Sequence, residues 1–297
     1  MLNMIQMDVF RMFKTKSLYI IYIVMFVLIV LTTLLIKEEQ DTVYQPEPAT
    51  TEDTALQSFM NGVAESGTDV PESIETEEEQ VIGISVDLPT EENANVAVMA
   101  FANLQAKAIA LFLVIFAVLF STADISTGYI KNFAGQVKNR WKLVLSKAIV
   151  LFFFTILTML LFIFAQAVSL LIAVGHMEIG NLSEFLPYLG IQILLHYGLV
   201  CVCMAFAIVF RNNLCSMTLS ICICFSITTI LYSFIDKMLG KIGIENFETI
   251  KYTISGRMAS LPMNPTGSDA AKGVLVAVMY ILVFVGISSY VFQKRDV

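Results

Sequence analysis

Six apolar runs of about 20 residues limit what this chain can fold into more than any other feature of its sequence. Crossing the roughly 30 Å hydrocarbon core of a membrane takes about 20 apolar residues at a helical rise of about 1.5 Å each. The runs occupy residues 18–36, 103–123, 148–174, 186–210, 214–234 and 273–292. Each is predicted to be a transmembrane helix, the second extended to 97–123. Because 57 % of the residues are hydrophobic and only 14 % are charged, a water-soluble domain could not cover this apolar surface. The predicted fold class is an all-α membrane protein.

The first apolar run resembles a secretory signal peptide in its position alone. Its apolar core is longer than a usual signal core, and it ends "TLLIKEEQ" without a small-x-small cleavage site. We therefore expect it to be a retained span. All five cysteines fall within or beside the fourth and fifth runs, so no framework of disulfides is predicted.

Lys and Arg predict the orientation, since they favour the cytoplasmic side of a membrane. They cluster before the first run, between the second and third, at Arg211 between the fourth and fifth, and after the sixth. The last outer loop, 235–272, also has cations, but acidic residues balance them. Both termini are therefore predicted to be cytoplasmic, with residues 1–17 forming an interfacial helix whose apolar face is Leu2, Ile5, Val9, Met12 and Phe13.

The segment 37–96 is predicted to be an acidic extracellular insert between the first two spans. It is rich in Glu, Asp, Thr and Pro and contains most of the acidic residues of a chain whose net charge is −7, so it has little apolar material for a core. Its charge would attract cations. One interpretation is a surface that recruits cationic peptides; the other is a solvated segment without a binding role.

A basic segment, 124–147, separates the second and third spans and contains the only Trp of the chain. At 100° per residue its apolar side chains share one face, which predicts a helix lying in the membrane interface. The residues that would anchor this helix are Phe133, Val137, Trp141, Lys138 and Lys142. A polar face is left for the cytosol. The alternative is a well-anchored loop that only follows the positive-inside rule.

The arrangement as a whole resembles the ABC-2-type permeases, the membrane subunits of ATP-binding-cassette exporters. The interfacial start, the six spans, the insert after the first and the basic segment after the second carry the resemblance. Within the segment it rests on Asp124, Gly128, Lys131, Asn132, Arg140 and Lys147. The sequence departs from the family pattern in having Asp124 where Glu is usual and Tyr129 where Thr is usual.

The resemblance implies that the basic segment couples the spans to a separate cytosolic ATPase. The residues assigned to this coupling are Asp124, Gly128, Lys131, Asn132, Gln136, Asn139 and Arg140. The implied partners are two ATPase subunits, a second permease of the same or a similar kind, and membrane lipid. Cationic peptides are a further candidate. No binding of nucleic acid is expected. ATP and Mg²⁺ would be bound by the ATPase, because "MLGKIG" lacks the spacing of a phosphate-binding loop. No cofactor is expected on this chain.

Three polar residues inside the spans, Gln166, Gln192 and His196, are candidates for a translocation path, because polar groups at membrane depth are costly. The alternative is that they form hydrogen bonds between helices. The pairs Cys201/Cys203 and Cys222/Cys224 are read as small apolar side chains rather than metal ligands, since residues two apart on a helix point in different directions.

The function expected from these features is the permease subunit of an exporter in a bacterial plasma membrane, moving an apolar or amphipathic substrate such as a peptide. The chain itself is not expected to be an enzyme. A multi-span membrane enzyme is disfavoured, since the runs contain one His and no Asp or Glu. A sensor or scaffold whose insert reads an envelope signal is the alternative.

Overall fold

Helices form all of the regular structure in the described part of the chain. The computed structural model describes residues 1–43, 95–126, 140–175, 178–225, 227–241 and 248–294. A 3-10 turn spans Thr249–Tyr252. The α-helices of these ranges are α1 (Leu2–Lys14), α2 (Lys16–Val43), α3 (Val96–Gln105), α4 (Ala108–Ser126), α5 (Trp141–Val174), α6 (Leu182–Phe210), α7 (Asn213–Cys224), α8 (Thr228–Lys241), α9 (Ile254–Ser260) and α10 (Gly267–Lys294).

Four of these helices are long and apolar enough to cross a membrane. They are the Lys16–Leu35 part of α2 and the whole of α5, α6 and α10. Two bent pairs, α3 with α4 and α7 with α8, raise the number to six if each pair counts as one span. The prediction of an all-helical protein with the helices of a membrane protein is confirmed for the described residues. The predicted six spans correspond to the upper of these counts.

The second predicted span, 97–123, is divided into two helices. α3 and α4 meet at an angle of 59°, because Lys107 adopts a left-handed backbone (φ 61°) that a continuing α-helix cannot include. The Lys107 side chain is only 6 % exposed. Lys107 is therefore enclosed by the bundle, and no Gly or Pro in the sequence signals the break.

The fifth predicted span, 214–234, is also divided. α7 and α8 form an angle of 69°, and α8 continues to Lys241, well into the predicted outer loop 235–272. α10 begins at Gly267, several residues before the predicted start at 273. α8 and α10 therefore include residues that were predicted to belong to the outer loop.

The remaining part of the outer loop folds back into the bundle. α9 buries Ile254 and Met258 at 3 % and 0 % exposure, one helical turn apart. Gln192 of α6 donates a hydrogen bond from Nε2 to the Met258 carbonyl (2.9 Å). A Cβ on Gly198, farther along α6, would lie 2.5 Å from Ile254 Cδ1, so the absence of a side chain there allows α9 to approach closely.

The third span begins earlier than predicted. α5 starts at Trp141 and contains 34 residues, so it is roughly 50 Å long at about 1.5 Å per residue, longer than the roughly 30 Å hydrocarbon core. No Gly or Pro lies between Trp141 and Ala148, and the helix continues through this stretch. Residues 141–147, predicted to belong to a separate coupling helix, are the first two turns of α5.

Hydrogen bonds between helices identify the two ends of the bundle. At one end, which we call the α1 end, Ser146 of α5 donates to Asp8 of α1 (Oγ to Oδ2, 2.8 Å). At the opposite end, the Val96 N–H at the start of α3 donates to the Glu178 carbonyl (2.9 Å), just before α6. α6 lies centrally and packs against α4, α5, α7 and α10.

Candidate functional site

The first two turns of α5 are formed by the last residues of the predicted coupling segment. Trp141 is 37 % exposed, and Arg140 and Lys142 are half-buried. Ser146 and Lys147 are buried at 0 % and 7 % exposure. Within two turns, therefore, α5 passes from an accessible position into the bundle.

Asp8 connects α1 to this part of α5. Its side chain is 5 % exposed, accepts the hydrogen bond from Ser146 and pairs with Arg11 one turn along α1 (3.6 Å). Met12, on the same face of α1, is 1 % exposed. The predicted apolar face of α1 is therefore only partly the face that packs in the bundle. Leu2 of the predicted face is 77 % exposed, whereas the Asp8 carboxylate is buried.

Lys147 connects α5 to α4. Its Nζ donates to the carbonyls of Phe120 and Ser121 (3.5 and 3.4 Å) and lies 5.3 Å from the centroid of the Phe120 ring. The segment 124–147 was predicted to form a helix lying in the membrane interface, but Lys147 at its end is buried in the bundle instead. The side chain is buried because its aliphatic stem packs in the bundle and its ammonium group meets carbonyls and a ring face.

Most of the predicted coupling and anchoring residues lie outside the described residues. Of the remainder, Asp124 belongs to the last turn of α4. Arg140 is the N-cap of α5, and Trp141 and Lys142 are its first two residues. Their roles stay predictions. The residues outside the described part are Gly128, Lys131, Asn132, Phe133, Gln136, Val137, Lys138 and Asn139.

Gln166 belongs to a polar junction of three helices. Asn103 of α3 donates to its Oε1 (3.1 Å), and Gln166 Nε2 donates to Ser169 of α5 (3.3 Å) and Thr33 of α2 (3.5 Å). The Thr33 and Ser169 hydroxyls are also hydrogen-bonded (3.1 Å). Gln166, Ser169, Thr33 and Asn103 are all at most 7 % exposed. The junction joins α2, α3 and α5 by hydrogen bonds between neutral groups.

Gln192 and His196 form a second polar group, on α6. Gln192 Nε2 bonds the Tyr188 hydroxyl (3.0 Å) as well as the Met258 carbonyl, and His196 Nδ1 bonds the Gln192 carbonyl (2.8 Å). Within the described residues, Gln192 Oε1 and His196 Nε2 are buried and have no hydrogen-bond partner. No hydrogen bond of the described structure links this group to Gln166, so the three predicted path residues belong to two separate networks.

The cysteines have free thiols. Cys201, Cys203 and Cys224 are buried, Cys222 is partly buried and Cys215 is exposed. In the ranges that the structure covers, no group of three or more His, Cys, Asp or Glu side chains could hold a metal ion.

The comparison with protein families matches residues 81–297 to DUF2705, described as a protein of unknown function. The match includes more than half of the 297 residues. The chain belongs to the DUF2705 family. The DUF2705 region includes α3 to α10 and the whole basic segment, whereas α1 and α2, with Asp8 and Thr33, precede it. No curated protein matches the chain.

The sequence analysis missed Asp8, Ser146 and α9. Asp8 has a weak signal, because it lies between Ile5 and Met12 at helical spacing on the apolar face of α1. α9 has a clearer one, since Ile254, Met258 and Leu261 repeat at i, i+4 and i+7 in a segment that was treated only as a loop. Nothing in the sequence alone indicates that Ser146 faces α1.

Proposed function

We propose that the chain is the permease subunit of an ATP-driven exporter in a bacterial plasma membrane, moving an apolar or amphipathic substrate, with a peptide as the favoured class. In this proposal the chain crosses the membrane six times and has both termini in the cytoplasm. It pairs with itself or a similar permease. Two copies of a separate ATPase bind ATP and Mg²⁺ and carry out hydrolysis.

The observation that carries the proposal is the continuity of α5. A helix of 34 residues without a break runs from the end of the basic segment through the bundle. A displacement at Trp141 would move the helix as a rigid body rather than be absorbed by a loop. α5 also contacts α1 through Asp8 and α4 through Lys147, so a displacement of α5 would be transmitted to both of these helices.

The polar junctions support the same proposal from within the bundle. The junction at Gln166 holds α2 and α3 to α5 by side-chain hydrogen bonds. In membranes each such bond contributes little to stability, about 0.6 kcal/mol on average. Bonds of that strength can be exchanged during a conformational change. The six apolar runs contain no Asp or Glu, which favours an apolar or amphipathic substrate over a small hydrophilic cation.

Purification with a native partner tests the proposal. The tagged chain, extracted from its own membrane and placed in lipid vesicles, should bring with it an ATPase whose ATP hydrolysis depends on the chain. Substitution of Asn139, predicted on the cytosolic face, should reduce transport while the ATPase stays bound. Substitution of Gln6, an exposed residue of α1, should leave both unchanged.

The outcome separates the candidate functions. Co-purification of a kinase or transcriptional regulator in place of an ATPase would favour the sensor or scaffold, a role that the acidic insert would also suit. Normal transport by the Asn139 variant with the ATPase bound would contradict the assignment of the coupling face.

A further inference from the structure

A basic cleft opens at the α1 end of the bundle. It has a volume of about 640 Å³ and lies between the end of α1, the start of α2, the second half of α4 and the turn between α6 and α7. Its polar lining includes Arg11 and Lys14 of α1, Ser17 of α2 and Arg211 of the turn. None of these residues belongs to the polar junctions described above.

The charge of the cleft is positive. Arg11, Lys14 and Arg211 contribute three cations, and no acidic side chain lines the cleft in the part of the chain that the structure describes. Arg11 is paired with Asp8 (3.6 Å). Arg211 has a left-handed backbone (φ 53°) at the C-terminal end of α6. Two helices, α2 at Lys16 and α7 at Asn213, begin at the cleft, while α1 and α6 end there. The opposing helix ends largely cancel, so the positive charge comes from the side chains.

The opposite wall of the cleft is apolar and belongs to a membrane helix. Phe116, Leu119 and Phe120 of α4 line it. Leu119 is the partly exposed member, since Phe116 and Phe120 are 0 % and 4 % exposed. The apolar run of α2 starts at Leu18, two residues after Lys16. A ligand in this cleft would contact the cations at the ends of the helices with one part. Its other part would contact the aromatic and aliphatic side chains of α4. A phosphate on a hydrocarbon tail has this pattern of polarity, whereas a free phosphate would use only the cations.

We propose that this cleft binds the phosphate of an anionic phospholipid headgroup, with part of an acyl chain against the α4 wall. Cations close to the surface of a membrane attract anionic lipid, and here three of them are held around one cavity. Lys14 and Arg211 lie on separate elements, α1 and the α6–α7 turn. A bound headgroup would therefore join these elements through its phosphate.

Binding of soluble short-chain lipids to the purified full-length protein in a neutral detergent tests the proposal. Dihexanoyl phosphatidylglycerol should raise the thermal unfolding midpoint and bind at least about tenfold more tightly than dihexanoyl phosphatidylcholine. Each cation near an anionic headgroup is worth roughly a fivefold change in affinity. Lys14→Gln and Arg211→Gln should each weaken phosphatidylglycerol binding about fivefold, and together about 25-fold.

Lys294→Gln is the matched control, because it removes one cation at the end of α10, outside the cleft lining. It should leave the affinity unchanged. Equal affinity for the two lipids, or an equal loss from Lys294→Gln, would overturn the proposal. Inorganic phosphate binding as tightly as phosphatidylglycerol would also overturn it, in favour of a free-anion site. If the double variant does not purify as a single species, the comparison of the two lipids and phosphate on the unmodified protein decides alone.

Discussion

Removing the contact between Asp8 and Ser146 should loosen α1 from α5 by a measurable amount. The two side chains are 5 % and 0 % exposed, and the hydroxyl donates to the carboxylate over 2.8 Å. A hydrogen bond to a charged group contributes about 1.5–3 kcal/mol net. We expect a coupling energy in that range between Asp8→Ala and Ser146→Ala.

A double-mutant cycle isolates this contact from the other contacts of Asp8. The free energy of unfolding of the full chain would be measured in mixed micelles titrated with a denaturing detergent, for the unmodified protein, both single variants and the double variant. Loss of the pairing with Arg11 occurs in both variants that lack Asp8 and therefore cancels. The remainder is the coupling of carboxylate and hydroxyl.

The control cycle combines Asp8→Ala with Ser288→Ala. Ser288 of α10 is also fully buried, but its hydroxyl donates to the Phe284 carbonyl of its own helix (2.7 Å). Its coupling to Asp8 should be zero. A coupling between Asp8 and Ser146 below about 0.5 kcal/mol, within the usual scatter of independent sites, would refute the role given to this contact in holding α1.

Three further predictions concern the bundle and the basic segment. Gln166→Leu removes three side-chain hydrogen bonds and should lower the free energy of unfolding by about 2 kcal/mol at about 0.6 kcal/mol each; no change would contradict the three-helix junction. Gly198→Ala should lower the free energy of unfolding by about 1–3 kcal/mol through overpacking. Adding Ile254→Val, which removes Cδ1, should recover that stability. Gly190→Ala, with no atom within 4 Å of the added Cβ, should show no such penalty. Charge reversal at three lysines of the basic segment should weaken its attraction to anionic lipid by about 1 kcal/mol per cation, seen as a red shift of the Trp141 emission in anionic but not neutral vesicles; an unchanged spectrum would contradict the interfacial helix. These lysines are Lys131, Lys138 and Lys142.

The positions of the main helices could be predicted from the sequence because long apolar runs have few alternatives. The runs at 148–174 and 186–210 fall inside α5 and α6. Their ends were less well predicted, because a helix continues wherever nothing stops it. Residues 141–147 contain no helix breaker, so α5 includes them although their charges suggested a separate element.

The breaks within two spans could not be predicted from hydropathy. The sequence around Lys107, "LQAKAIA", is compatible with a straight helix, and its left-handed residue follows from how α3 and α4 pack on their neighbours. A buried lysine is similarly a property of the assembled bundle. Both Lys107 and Lys147 look like interfacial cations in the sequence, and their burial depends on groups far away in the chain.

The candidate site was predictable only in part. Gln166 and Gln192 could be identified as candidates because amides are rare inside apolar runs. In the structure both amides have hydrogen-bond partners. That they belong to different networks depends in part on α9, which supplies the Met258 carbonyl that Gln192 bonds. Asp8 was overlooked because the sequence analysis ranked residues by apolar spacing, and a buried carboxylate on an apolar face is the exception to that spacing.

Photo-crosslinking from position 139 in native membranes tests the central proposal most directly. A photoreactive amino acid replacing Asn139 should capture a cytosolic ATPase, whereas the same amino acid at Glu65, in the acidic insert, should not. Capture of the ATPase from position 139 alone is the result that the exporter account predicts. Labelling of position 139 by a membrane-impermeant reagent added outside the cell would contradict it, because the basic segment would then lie on the wrong side of the membrane to meet an ATPase.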